Sequence, residues 1–392
     1  MEKVYIVSAV RTPLGSFGGV LSELSAIQLG SKAIKGALKK AGLEGNLIDE
    51  VFFGNVVQAN LGQAPARQAA LGAGISINAP CTTVNKVCAS GMKAIAFGAM
   101  SIKLGESEIV VAGGMESMSN IPFYVPKARY GYKYGDGVLI DGLINDGLLD
   151  AYGKQPMGVY ADETAAEYEI SREEQDNFAI ESYKRSAFAS QNGLFKNEIE
   201  PVEIKDRKGN ITLIDTDEEF SKVSFEKIPT LRAVFTKDGT VTAANASTIN
   251  DGAAALVLAS ENAVKKHNLK PIAEIIAYGD AAHQPERFTT APVKAAKKIL
   301  EKAGLTKEDI DLWEVNEAFS VVTLAFNKSM GIDNSIVNVH GGAVSLGHPL
   351  GASGARIVVT LAHALKTKGL KTGLATLCNG GGGAGVMILK SV

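Results

Sequence analysis

Residues 40–49 read KAGLEGNLID and residues 302–311 read KAGLTKEDID, six identities in ten positions at a constant offset of 262. Each follows a helical pattern, LGSKAIKGALKKAGL at 29–43 and APVKAAKKILEKAGL at 291–305, and each leads into a short apolar stretch ending in Asn55 or Asn316. The parallel continues downstream. Asn55 stands 33 residues before Cys88 and Asn316 stands 32 before His348, and both endpoints precede a glycine-containing segment of helical character. A strand-like run with a glycine cluster closes each copy, EIVVAGGMESM at 108–118 and TGLATLCNGGGGAGVMIL at 372–389. Order and spacing together describe one α/β unit used twice.

Short runs such as VYIVSAV, EIVVAGG, AALVLAS and GLATLC are apolar at consecutive positions, as strands covered on both faces by helices should be. The expected architecture is therefore α/β, with two copies packed around shared central helices. The first half takes residues 1–118 and 250–268, the second 269–392. Between them, 119–249 has another texture: it holds most of the tyrosines and mixed charge such as KDRKGN and DTDEEFSK. SREEQ at 171–175 is a helix opening in which Ser171 caps and Glu174 reciprocates. This stretch reads as an inserted, partly irregular domain that carries ligand or subunit contacts.

Composition narrows the function. With 392 residues, 46% apolar and 21% charged, the chain is long enough for several cores and too apolar for extended disorder. Forty basic and 42 acidic side chains, without a cationic tail, make nucleic acid an unexpected partner. The opening MEKVYIVSAVRTP lacks a signal-peptide pattern, and no run of about 18 uninterrupted apolar residues suggests a membrane span. Three cysteines, 81, 88 and 378, cannot all pair with one another, so a reducing, cytoplasmic setting is expected. Glycine is the anomaly: 42 of 392, above the usual ~7%, concentrated at 113–114, 341–342, 347–354 and 380–385. Those are places where backbone or substrate approaches closely.

Four positions could carry chemistry. Cys88, in NKVCASG, precedes a helical run whose N-terminus would stabilise a thiolate; the alternative is a small buried hydrophobe. His348, in GGAVSLGHPLGASGAR, could take the thiol proton or serve structure. Cys378, in ATLCNGGGG, could shuttle a second proton where bare backbone admits a bulky substrate, or simply pack. Asn316, in WEVNEAF, could hold a water against an oxyanion or cap a helix. Cys81, after Pro80 and far from any glycine cluster, has no assigned role.

NKVCASG (85–91), NEAF (316–319), GHPLGASGAR (347–356) and CNGGGG (378–383), in this order, resemble the signature blocks of thiolases. GGMESMS at 113–119 and VTAANAST at 241–248 extend the resemblance over essentially the whole chain. It implies the thiolase fold, two duplicated α/β halves layered αβαβα with an inserted loop domain. It also implies an acyltransferase: Cys88 accepts an acyl group from acyl-CoA, His348 activates it, and Cys378 moves the α-proton of a second acetyl-CoA. One oxyanion site uses the histidine with a water on Asn316; the other uses backbone N–H groups near Cys88 and Gly380.

On the same resemblance Leu148, Met157, Phe235, Ala243, Ser247, Ala318 and Phe319 contact coenzyme A, and Lys222 approaches its 3′-phosphate. No covalently bound cofactor is implied; coenzyme A is substrate and product. Tyr183, Ala243, Ala244, Ala246 and Val344 match a potassium site of the acetoacetyl-CoA branch. Pro156 in QPMG, however, stands where that branch usually has histidine, as in broader-range 3-ketoacyl-CoA thiolases, and Thr289 after Phe288 departs from the Phe-Pro of enzymes taking 2-methyl substrates. The implied activity is acetyl-CoA C-acetyltransferase, with partners acetyl-CoA, acetoacetyl-CoA and CoA, in a homotetramer contacted through the Tyr-rich 124–134. The competing readings are a 3-ketoacyl-CoA thiolase of β-oxidation, a non-catalytic acyl-CoA or lipid binder, and a fatty-acid-type condensing enzyme.

Overall fold

The computed structural model describes residues 2–392. From the N-terminus the chain forms β1 (Val4–Arg11), α1 (Ala26–Ala41), β2 (Glu50–Gly54), α2 (Pro65–Gly72), β3 (Cys81–Val84), α3 (Ser90–Leu104) and β4 (Ile109–Ser117). An excursion holds α4 (Met157–Glu167) and α5 (Arg172–Gln191), and the chain returns as β5 (Asn250–Ser260). Then come β6 (Ala273–Ala282), α6 (Ala291–Ala303), β7 (Leu312–Val315), α7 (Ser320–Met330), α8 (Leu350–Lys368), β8 (Thr372–Asn379) and β9 (Gly383–Ser391).

The repeated KAGL is a helix stop. Gly42 and Gly304 take the left-handed conformation, φ 68° and 67°, at the ends of α1 and α6. Leu43 and Leu305 then return their N–H groups to the carbonyls of Leu38 and Leu300, at 3.1 and 3.0 Å. Glycine satisfies the turn without a Cβ clash, and the leucine seals it, so the same four letters end both helices.

Strand order repeats as well. The first half pairs as β1-β5-β4-β2-β3 and the second as β6-β9-β8-β7. In both, the first two contacts are antiparallel and the next is parallel. Only β3 lacks a strand counterpart, its place being taken by a single bridge between Trp313 and Val337. The halves join edge to edge through just two residue pairs of β1 and β6, Tyr5 with Glu274 and Ile6 with Ala273.

Apolar packing builds five layers. Helices α1 and α2 cover the outer face of the first sheet half, and α6 and α7 that of the second. The central layer is α3 with α8, sharing one core with both halves. Every residue of α8 from Leu350 to Leu365 is buried, as its all-round apolar sequence requires. The stretch Val87–Leu104 is apolar enough by length and composition to cross a membrane, with mean hydropathy 1.3, but it runs into α3 of the central layer and is mostly buried. Uninterrupted apolar runs therefore missed a window that averaging finds.

The excursion holds two helices and short strand pairs among irregular connections. Ser171 and Glu174 form the expected capping box at the start of α5. Arg11, fully buried on β1, clasps the returning chain: its Nε donates to Glu198 at 2.6 Å and its terminal nitrogens to Asp217 at 2.7 and 2.8 Å. Removing one partner would strand a buried charge.

Where α3 and α8 cross, backbone meets backbone. A Cβ on Gly114 would lie 2.0 Å from the carbonyl oxygen of Gly351, one on Gly54 2.7 Å from the nitrogen of Gly91, and one on Gly354 2.6 Å from the nitrogen of Met92. Those glycines let the N-termini of two central helices and two strand ends occupy one point. Gly114→Ala is therefore expected to cost at least ~3 kcal/mol, because rigid backbone cannot give way. Gly304→Ala, at positive φ but facing open space, should cost only about 1 kcal/mol. Urea unfolding midpoints compare the two; equal losses would mean the crossing tolerates a methyl group.

Candidate active site

Cys88 and His348 occupy equivalent points, each two residues before the first residue of a central helix, α3 or α8. The approach to Cys88 is tight: Val87 is held at φ 48°, unusual for a branched side chain. Ser90 Oγ donates to the Val87 carbonyl at 2.6 Å and accepts the Lys86 N–H at 2.8 Å, closing the turn. Lys86 Nζ reaches across to Asn379 Oδ1 at 3.0 Å, the Ala384 carbonyl at 3.1 Å and Asp280 at 3.2 Å. The loop bearing Cys88 is thereby fastened to the loop after Cys378.

His348 follows Gly347, whose φ of 115° suits glycine and whose missing Cβ would meet the Asn250 side chain at 2.3 Å. The His348 N–H donates to Asn250 Oδ1 at 3.0 Å. On the imidazole, Nδ1 lies 2.6 Å from Ser353 Oγ, while Nε2 has no partner. Asn316 follows β7, its N–H donating to the Thr376 carbonyl at 3.0 Å, and its amide lies 3.5 Å from His348 Nδ1.

Four of the five expected catalytic residues converge, while Asn316 stands beside His348 but off the cavity lining. Cys88, His348, Cys378 and Gly380 line one cavity of about 70 Å³ together with Leu148, Met157, Ser247, Ala318 and Phe319. That is space for a few heavy atoms beside the two sulfurs. Phe235 stands behind this wall, edge-on to Phe319 with ring centroids 6.1 Å apart. Ser247 is pinned to the opposite segment by its N–H to the Ala318 carbonyl at 3.1 Å.

Other candidates lie elsewhere. Ala243 is exposed and outside the cavity lining. Lys222 also lies off the lining, its Nζ bonded to Ser16 Oγ at 2.6 Å and Glu218 at 2.7 Å. Tyr183 and Val344 share a small buried cluster, while Ala246 packs with Phe319. Because the His348 N–H goes to Asn250 rather than back along the turn, the Val344 carbonyl is left free of that bond.

Burial sets the electrostatics. It pushes the Cys88 thiol up to about 11, although N–H groups of Gly380 and of Cys88 itself pull the other way. Cys378 is raised further, by burial and then by its neighbour Cys88. His348 is pushed down to about 3 by burial, with the Arg356 cation acting in the same sense. Desolvation thus outweighs the favourable dipole at the helix N-terminus, and burial favours thiol over thiolate and neutral imidazole over imidazolium. A neutral imidazole can accept a proton, and a thiol must lose one before its sulfur can attack.

Motif reading missed Val87, Gly147, Phe288 and Leu350 as lining residues. Leu350 was inside a quoted block, but nothing in its letters says that it faces the sulfurs. Glu116, in GGMESMS, was also passed over. Its buried carboxylate accepts from Asn55 Nδ2 at 2.8 Å and from the N–H groups of Val56 and Val57 at 2.9 and 3.2 Å. It also accepts from Gly351 at 2.8 Å, holding the start of α8. Burial lifts it to about 7 despite those donors.

The chain matches the family models for the thiolase N-terminal domain over residues 4–262 and the thiolase C-terminal domain over 269–391. It is 55% identical to an acetyl-CoA acetyltransferase of Schizosaccharomyces pombe, covering 100% of this chain and 99% of that one. A probable acetyl-CoA acetyltransferase of Dictyostelium discoideum is 54% identical over 100% and 95%, and a mitochondrial acetyl-CoA acetyltransferase of Bos taurus 53% over 100% and 92%. Among solved structures, the Acat5 thiolase of Ascaris suum in complex with coenzyme A superposes with a TM-score of 0.95 at 49% identity, over all of both chains.

The depressed histidine has a stability consequence. Between about pH 6.5 and 3 the unfolded chain binds a proton at position 348 that the folded chain does not, so stability falls as pH falls through that window. His348→Asn should flatten the pH dependence of the urea midpoint there, by up to ~1.4 kcal/mol per pH unit. An unchanged slope would mean that His348 titrates normally.

Proposed function

The chain belongs to the thiolase family, and on that premise we propose that it is an acetyl-CoA C-acetyltransferase, joining two acetyl-CoA into acetoacetyl-CoA and CoA and running the reverse thiolysis. The observation that carries this reading is the meeting of Cys88, His348, Cys378 and Gly380 in one cavity small enough for an acetyl unit.

His348 Nε2 takes the Cys88 proton as sulfur attacks the thioester carbonyl of the first acetyl-CoA. The tetrahedral oxyanion faces the N–H groups of Cys88 and Gly380, which already point at the sulfur. Collapse breaks the bond to CoA sulfur, which leaves with the proton from His348, and acetyl-Cys88 remains. Cys378 passes its thiol proton to His348 Nε2, free again once CoA has left, and the resulting thiolate accepts the α-proton of a second acetyl-CoA. The enolate oxygen is met by His348 and a water on Asn316. The enolate carbon attacks acetyl-Cys88, the Cys88–carbonyl bond breaks, and acetoacetyl-CoA leaves as the Cys88 sulfur takes the proton held on His348. Thioester is exchanged for thioester in the first half, so both directions use one site.

Leu148, Met157, Ser247, Ala318 and Phe319 would flank the pantetheine arm, with Phe235 supporting them. Lys222 and Ala243 keep weaker claims on coenzyme A, since both lie off the cavity lining. A potassium ion held by carbonyls of Ala243, Ala244, Ala246 and Val344 with Tyr183 would stiffen the segment bearing Ser247. Exposed Phe123, Tyr130 and Tyr134 support a homotetramer contact in the excursion, and three unpaired cysteines support a cytoplasmic setting.

Mixing with acetyl-CoA should give a burst of one thiol-bound acetyl group per chain, lost in Cys88→Ala. No burst in the parent enzyme would favour a binder. Cys378→Ala should keep the burst and lose condensation by roughly three orders of magnitude; equal loss of both steps would reverse the role given to Cys378. Potassium should activate saturably and sodium should not, whereas indifference would remove that site.

A further inference from the structure

Two atoms in this site have orientations that the chemistry needs and that no sequence motif states: the proton on the His348 imidazole and the oxygen of the Asn316 amide. We propose that Ser353 and Arg356, one turn apart on α8, are positioning residues that set these two orientations together. The proposal rests on the reading of His348 as base and Asn316 as water holder.

Ser353 Oγ lies 2.6 Å from His348 Nδ1 and 2.8 Å from the Pro349 carbonyl. It has one hydrogen to give. If that hydrogen goes to Pro349, Oγ accepts from Nδ1–H, and Nε2 is a bare lone pair facing the cavity. If it goes to Nδ1, Ser353 Oγ and the Pro349 carbonyl oxygen face each other at 2.8 Å with no hydrogen between them. Two acceptors at that distance repel, whereas the first arrangement satisfies both short contacts. The first arrangement wins, and it is the one in which Nε2 can accept the Cys88 proton.

Arg356, 1% exposed, places a terminal nitrogen 3.4 Å from Asn316 Oδ1 and another 3.7 Å from Glu314. A guanidinium only donates, so the amide atom beside it is the oxygen; a flipped amide would set donor against donor. Asn316 Nδ2 then lies 3.5 Å from His348 Nδ1. Were Nδ1 a lone pair, Nδ2 would spend a hydrogen on it. With Nδ1 protonated and committed to Ser353, the hydrogens of Nδ2 stay available for a water at the oxyanion. The two orientations are therefore one coupled choice, made from behind by α8.

Neutron diffraction on perdeuterated crystals of the full chain reads both at once. Deuterium on His348 Nδ1, with the Asn316 ND2 group turned away from Arg356, is the expected result. Deuterium on Nε2 of the unliganded enzyme, or ND2 facing Arg356, overturns the proposal, whatever the activity. Kinetics give a second reading. Ser353→Ala should slow the acetylation burst roughly 30-fold, and Ser353→Thr, which keeps a hydroxyl, should recover most of it. Arg356→Met should lower condensation by roughly 100-fold while changing the burst less than about 5-fold, and Arg356→Lys should restore most of the loss. Equal damage to both steps, or lysine no better than methionine, would mean packing alone. Absence of a burst in the parent enzyme would instead sink the functional reading and leave the neutron result standing.

Discussion

Direct contact between backbones at the crossing of α3 and α8 is the constraint from which the site follows. A helix normally keeps its axis some 8–10 Å from a neighbour because side chains intervene. Here glycines at 54, 91, 114, 351 and 354 remove them, so carbonyl oxygens and amide nitrogens approach each other directly. The two helix N-termini can then share a corner with the ends of β2 and β4. Since Cys88 and His348 each sit two residues before such an N-terminus, closing the corner brings thiol to imidazole. Glu116 holds the corner from within by accepting N–H groups from both halves. Nine of the 42 glycines stand here or in the CNGGGG loop.

The same crowding keeps water out, and dryness decides the resting charges. Each candidate proton carrier is displaced toward its neutral form: both thiols upward, the imidazole downward, all with burial as the leading cause. A thiolate–imidazolium pair would have to be made in a medium that disfavours separate charges, so it is stabilised only when reacting groups or the N–H groups of Gly380 and Cys88 meet the negative end. A reactive sulfur that stays protonated between turnovers is also a poor target for stray electrophiles.

Much of this was legible in the letters because the relevant physics is local. KAGL recurs because a left-handed glycine and a sealing leucine end a helix in either half. Ser171 and Glu174 cap α5 by a rule confined to four residues. Cys88, His348 and Cys378 could be picked out since each stands close to glycine at the edge of an apolar run, and Asn316 since it ends one. What failed was long-range. The Cys88 charge state depends on burial by segments nearly three hundred positions away, and no local dipole argument could weigh that. Lys222, placed by its position in a loop, finds Glu218 one helical turn back and Ser16 from the opposite end of the chain. The roles of Glu116, Ser353 and Arg356 lay inside quoted blocks, yet a motif names residues without saying which atom donates.

The matched strand orders carry a last consequence. The positions of Cys88 and His348 correspond under the internal repeat, as do those of Asn55 and Asn316. An assembly of two identical chains facing across such a central layer would present the same side chain from both sides: two thiols or two imidazoles. Joined in one polypeptide, the copies can diverge, so that one position carries a thiol and its counterpart an imidazole. Covalent linkage of the halves is thus what permits an asymmetric pair of reagents at the centre of a nearly symmetric body.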